Sequence, residues 1–365
     1  MNHPSSPAWS HALLFLVWGL NYVVIIPLVA NVTMTTSLVI YIASHRSLSS
    51  LDAAIATDDK SDRAVISGSD AYKMPVFASA ALFSFYMAFK YFDKDTLNFL
   101  ISIYFAFTGT FSLTPIFAPI VQIILRFGRD EARYVTFTVP VVGEVDLTFT
   151  FSEFIAFCVS AALCAAHLNS RHYMLNNIIG ICLSIQAIEK ISIGSYKIAV
   201  VLLLGMFVYD IYWVYGTDVM VTVAKSFDIP VKLLFPTELP SAEMKGKFSL
   251  LGLGDIVLPG LFVALLLRLD ASIAKEAHPE KLLLDTFRKP FFTWNLIAYV
   301  IGLGIVLWLM LYLEMAQPAL VVLVPACLLA SILAGVVEGK LGNLMAYSEE
   351  EEEEGSSASA SKKED

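Results

Sequence analysis

Residues 202–216 read LLLGMFVYDIYWVYG and residues 248–262 read FSLLGLGDIVLPGLF: two apolar runs, each broken by a single acid, Asp210 and Asp255. A run of about 20 apolar residues spans a bilayer as a helix. The chain of 365 residues is 57% hydrophobic and only 16% charged, where a soluble domain carries about a quarter charged residues. A soluble α/β chain would show shorter runs separated by charged amphipathic helices. The reading is therefore an all-α polytopic membrane protein. The net charge of −9 lies mostly at the end: from Glu349 to Asp365, eight acids face Lys362 and Lys363. Such a tail reads as disordered and argues for no particular ligand.

Nine spans are expected, at roughly 20–43, 74–92, 97–125, 153–169, 174–190, 197–216, 248–269, 291–314 and 318–338. The first apolar stretch, 12–43, is longer than one span needs. It is either one long tilted helix bent at Pro27 or a signal peptide over 12–30; the absence of Lys and Arg at its start favours the helix. The sequon Asn31-Val32-Thr33 lies against or inside that span and is not expected to be glycosylated. With the N-terminus luminal, cytosolic segments hold 17 of the 24 Lys and Arg residues and the other side 7, which orients the chain by the positive-inside rule and leaves the tail cytosolic. Residues 134–151, YVTFTVPVVGEVDLTFTF, alternate β-branched and aromatic residues around a glycine and predict a small cytosolic β-hairpin between helices 3 and 4. The loop 217–247 mixes apolar runs with Pro230, Pro236 and Pro240 and is expected to lie against the membrane.

Charge inside a span is costly and usually functional. Glu153, Glu189, Asp270, Glu314 and Glu338 sit at span ends and read as structural. Asp210 falls about six residues before the luminal end of its span and Asp255 about seven after the luminal start of the next. On antiparallel helices both carboxyls then lie about 9–10 Å below one surface. Two close carboxylates cannot both ionise cheaply and share a proton. One takes a proton from water while the other polarises a carbonyl and later protonates the leaving amine. That chemistry needs no metal or cofactor. Cys158, Cys164, Cys182 and Cys327 all lie in apolar runs and read as packed free thiols. Gly252 and Gly254 allow close backbone approach and loosen the chain near Asp255. Pro318 favours a helix start or break and leaves backbone groups able to orient a substrate strand. Tyr212, Trp213 and Tyr215 read as interfacial anchors. Tyr209 is either packing or a direct participant.

Tyr209-Asp210, Gly252-Leu253-Gly254-Asp255 and Gln317-Pro318-Ala319-Leu320 resemble the YD, GxGD and PAL motifs of the GxGD intramembrane aspartyl proteases. The fuller strings are more similar to the signal peptide peptidase branch than to presenilin, over residues 70–345 and most strongly from 200 to 328. The resemblance implies a nine-helix presenilin-like fold. Asp210 and Asp255 would be catalytic, with Tyr209, Gly252, Gly254, Gln317, Pro318, Ala319 and Leu320 supporting the site. It further implies a protease of the endoplasmic-reticulum membrane acting on remnant signal peptides and type II oriented transmembrane segments. Lys362-Lys363-Glu364-Asp365 looks like a cytosolic dilysine retrieval signal. The organisation expected is membrane helices 1–5 in 1–195, catalytic helices 6–9 in 196–345, and a disordered tail over 346–365. The expected partners are transmembrane peptides and the lipid bilayer, with no nucleic acid; a homo-oligomer stays open. Two other classes remain: a proton-coupled transporter, which would also use paired intramembrane acids but whose repeated halves are not seen, and a scaffold that binds membrane clients without cutting them, against which the intact acid pair argues.

Overall fold

The computed structural model describes residues 10, 14, 16, 17, 26–57, 64–124, 133–139, 143–226, 230–236, 248–277, 287–313 and 317–349. In chain order these form α1 (Leu28–Thr57), β1 (Ala64–Ile66), α2 (Gly68–Tyr91), α3 (Lys94–Ile124), β2 (Arg133–Val139), β3 (Gly143–Phe149), α4 (Phe151–Ser170), α5 (Tyr173–Lys190) and β4 (Ile191–Ile193). There follow α6 (Tyr196–Tyr215), α7 (Val219–Ser226), β5 (Lys232–Pro236), β6 (Phe248–Gly252), α8 (Gly254–Ala277), α9 (Pro290–Leu313), α10 (Leu320–Val337) and α11 (Leu341–Ala346). Among the described residues nine helices reach 18 residues. Seven of those, α1, α3, α4, α6, α8, α9 and α10, are long and apolar enough to cross a membrane. Large apolar side chains such as Ile297, Ile301, Ile305 and Trp308 of α9 face outward. A soluble surface does not carry such a stripe, whereas a bilayer solvates it.

The chain divides into two units. One comprises Met1–Tyr91, Ser184–Ser226 and Phe235–Asp365, and the other Phe92–Leu183 with Phe227–Leu234. In the second, α3 packs along α4, close enough that a methyl on Gly109 would lie 3.3 Å from Cys164 Sγ. There β2 and β3 pair antiparallel from Arg133↔Phe149 to Val139↔Gly143. The hairpin ends two residues earlier than expected, because Thr150 and Glu153 close a capping box that starts α4 at Phe151. Also in this unit, Asn177 binds the Leu234 backbone, donating to its O and accepting from its N–H, each at 2.8 Å.

The first unit is built around α8, which touches α1, α6, α9 and α10. Of its most apolar window 78% is buried, against 28–50% for the other six crossing helices. Residues 261–271 of α8 are all buried, so it is apolar all round and central rather than lipid-facing. Its two buried charges both find partners, although Nη2 of Arg268 is buried without a hydrogen bond. Asp270 accepts the N–H groups of Phe291 at 3.3 Å and Phe292 at 2.9 Å, capping α9. Arg268 pairs with Glu349 at 2.5 Å. Glu189 likewise pairs with Arg46 at 2.7 Å and Glu338 with Arg288 at 3.4 Å.

Several boundaries differ from the sequence reading. α1 begins directly after Pro27, so the helix starts at this proline instead of bending through it. Asn31 is fully buried within it, and residues 20–25 of the expected first span lie outside the described residues. Residues 248–252 are strand, not the start of a span; a short apolar run does not distinguish the two by hydropathy. Trp213 is buried and donates to Ser79 Oγ at 3.0 Å, which makes it a packing residue, not an interfacial anchor. Cys158 is exposed while the other three thiols are buried. Glu349, placed by the sequence in a disordered tail, is a buried ion-pair partner.

Candidate active site

Asp210 and Asp255 stand on contacting helices, α6 and α8, and each lies within electrostatic range of the other. Asp210 sits five residues before the end of α6, a helix N-capped by Ser195. Its placement depends on a close approach farther up. A methyl on Gly205 would lie 2.7 Å from Pro75 Cγ, so only glycine lets α2 lie this near α6. Asp210 itself is buried, and its Oδ2 accepts the N–H of Leu320 at 2.9 Å.

That hydrogen bond follows from the local sequence. The first amides of a helix have no intrahelical acceptor and need one from elsewhere. At α10 the capping position is Ala319, whose side chain offers no acceptor, and Pro318 before it has no N–H. Asp210 of another helix supplies the missing oxygen, and an anion is well placed at a helix N-terminus. A second tie runs beside it: Tyr215 OH donates to Gln317 Oε1 at 2.7 Å. The sequence reading assigned the Pro318 corner to substrate; here one of its amides holds an acid.

Asp255 enters differently from the expectation. It lies in the first turn of α8, immediately after the strand β6, rather than seven residues down a straight helix. The strand–helix junction puts it at the start of a helix that packs against α6. Asp255 is half-buried, and Gly252 and Gly254 beside it are exposed. A methyl on Gly252 would lie 3.5 Å from Asp255 Oδ2, whereas one on Gly254 would meet nothing within 4 Å. Gly252 therefore keeps open one side of the carboxylate. Next to the acid, the fully buried Tyr299 of α9 donates to the Asp255 carbonyl oxygen at 3.4 Å. Tyr299 does not stand out in the sequence, because a tyrosine in an apolar run carries no local mark of a distant partner.

Tyr209 is half-buried and packs tilted against Trp213, ring centroids 6.4 Å apart, within electrostatic range of Asp210. The structure thus brings together Asp210, Asp255, Gly252, Gln317 and Leu320, with Pro318 and Ala319 shaping the helix start. Gly254 contributes open space.

Comparison with known proteins identifies the family. A family model described as signal peptide peptidase matches residues 57–351. The chain is 33% identical over 305 residues to the signal peptide peptidase of Mus musculus, covering 82% of this chain and 78% of that protein. It is 33% identical over 290 residues to the signal peptide peptidase of Homo sapiens, covering 78% and 74%. With intramembrane protease 2 of Caenorhabditis elegans it shares 40% identity over 206 residues, 56% of this chain and 44% of the other. No solved structure matches the chain.

Proposed function

This chain belongs to the signal peptide peptidase family, and we propose that it is an intramembrane aspartic endopeptidase in which Asp210 and Asp255 activate a water molecule. One observation carries the reading: the two acids stand on contacting helices, one held by the first amide of α10 and the other left open beside Gly252. In this scheme Asp210, facing the Leu320 N–H, starts ionised and takes the proton from water. Asp255 carries the shared proton, donates it to the scissile carbonyl, and the pair returns a proton to the leaving amine.

A transmembrane substrate hides its peptide bonds in helical hydrogen bonds. Strand addition along β6 would hold the unwound segment extended beside Asp255. The proposed substrates are remnant signal peptides and type II oriented transmembrane segments in the endoplasmic-reticulum membrane. The proposed topology has nine spans, a luminal N-terminus, a cytosolic hairpin and a cytosolic tail ending in the dilysine signal. Helices within 196–345 would carry the chemistry on a support formed by 1–195. Water would enter from the luminal side past Tyr209 and Thr217.

The test is cleavage of a synthetic signal peptide by the purified protein, beside Asp210→Ala and Asp255→Ala. Both variants should be inactive. Full activity in either would sink the assignment, and proton-driven solute flux without cleavage would favour a transporter.

A further inference from the structure

The first charged side chain buried inside α8 past Asp255 is Arg268, 2% exposed. It lies thirteen residues on, about 20 Å along the helix at about 1.5 Å per residue. Its Nε donates to Glu349 Oε1 at 2.5 Å and its Nη1 to Ser47 Oγ of α1 at 2.7 Å. The other oxygen of Glu349 accepts from Ser192 Oγ of β4. The backbone around Glu349 is equally tied. Its N–H donates to Gly194 O at 2.9 Å, Ser348 bridges Ser195 antiparallel, and the N–H of Tyr196 donates to Tyr347 O at 3.3 Å.

Residues 347–349 therefore form a strap fastened to two helices at once. Ser195 and Tyr196 begin α6, fourteen residues before Asp210; Arg268 lies toward the far end of α8, thirteen residues past Asp255. The strap joins the two acid-bearing helices at the ends away from their acids, as a pivot joins the arms of tongs. We infer that this C-terminal strap, through the Arg268–Glu349 pair, sets the spacing of Asp210 and Asp255, with Glu349 as a positioning residue. The inference rests on the proteolytic reading of those acids.

A buried ion pair is a poor choice for stability alone. Replacing both partners by apolar groups is often neutral or stabilising, while removing one leaves an uncompensated charge. What an ion pair with several fixed acceptors adds is a single register. A two-part experiment separates these roles. Cleavage of a synthetic signal peptide is measured for wild type, Asp210→Ala, a chain lacking 350–365, a chain lacking 349–365, Glu349→Ala, Glu349→Gln, and the double variant Arg268→Met with Glu349→Leu. Loss of 350–365 should leave kcat within about twofold. Loss of Glu349 in either way should lower kcat tenfold or more with KM within about twofold. The double variant should regain the wild-type melting temperature but not its kcat. If the shorter chain and Glu349→Ala do not fold, Glu349→Gln carries the test with a fivefold fall in kcat. In parallel, spin labels on exposed Val208 of α6 and Leu250 of β6 report the spacing, and their distance distribution should broaden when Glu349 is lost. Wild-type kcat and an unchanged distribution in the folded Glu349 variants, or full kcat in the double variant, would overturn the proposal. An inactive wild type, or an active Asp210→Ala, would overturn the proteolytic reading instead, and the label distances would still decide the clamp.

Discussion

Replacing Gly252 by alanine should lower activity while leaving the fold at least as stable as before. The added methyl would lie 3.5 Å from Asp255 Oδ2 and 4.0 Å from its Cγ, ordinary van der Waals distances with no clash. Gly252 is the last residue of β6, and glycine in a strand is about 0.5–1 kcal/mol less favourable than alanine. Stability should therefore hold or rise slightly. The carboxylate's surroundings do change. A water or carbonyl oxygen bound to Oδ2 sits about 2.8 Å away, and it must stay about 3.3 Å or more from the new carbon. Those three lengths exclude a cone of about 60° half-angle, roughly a quarter of all directions around Oδ2. The excluded quarter faces β6, the side from which the proposed substrate strand approaches. A loss of tenfold to a hundredfold in kcat/KM is expected, about 1.4–2.7 kcal/mol in barrier. The assay is peptide cleavage by purified protein with melting temperature measured on the same preparation. Gly252→Ala with wild-type kcat/KM would refute the argument, and so would a loss of activity that merely tracks a fall in melting temperature.

Three further predictions follow from single contacts. Tyr299→Phe removes the donor to the Asp255 carbonyl at 3.4 Å; a threefold to tenfold fall in kcat with unchanged KM is expected, and a steady-state comparison checks it. Gly205→Ala drives a methyl to 2.7 Å from the rigid Pro75 ring, so α2 and α6 must part at a cost of about 1–3 kcal/mol, read as a lower melting temperature. Asp93 accepts from the N–H and hydroxyl of Thr96, which hold its carboxyl below the usual value of 3.8. A carboxyl lowered in the fold stabilises it above that value, and the contribution fades as pH falls through the lowered one; melting curves of wild type and Asp93→Ala should converge as pH drops below 3.8.

The long apolar helices and both acids were legible in the chain because hydropathy and a lone charge are local signals. The capping box at Thr150 and Glu153 explains why the hairpin ends two residues short of the expected edge. The misreadings share one cause. FSLLG suits a strand or a helix equally, so Asp255 was placed about seven residues into a span when it sits at a strand–helix junction. Trp213 looked like an anchor because its partner, Ser79, is 134 residues away. Glu349 looked like one of six equivalent glutamates, and only Arg268 distinguishes it.

The sequence by itself determined that this is a multi-pass membrane chain with two acids in neighbouring apolar segments, flanked by glycines and followed by a Gln-Pro-Ala-Leu corner. Composition and spacing suffice for that, since each span must satisfy its own backbone in lipid. Only the tertiary structure decided that Asp210 caps α10 through Leu320, that Tyr299 supports Asp255 from behind, and that Glu349 fastens the far ends of both helices. These are pairings between residues tens to over a hundred positions apart. No local pattern encodes them, because they arise only when the helices pack and each buried polar group must find its partner.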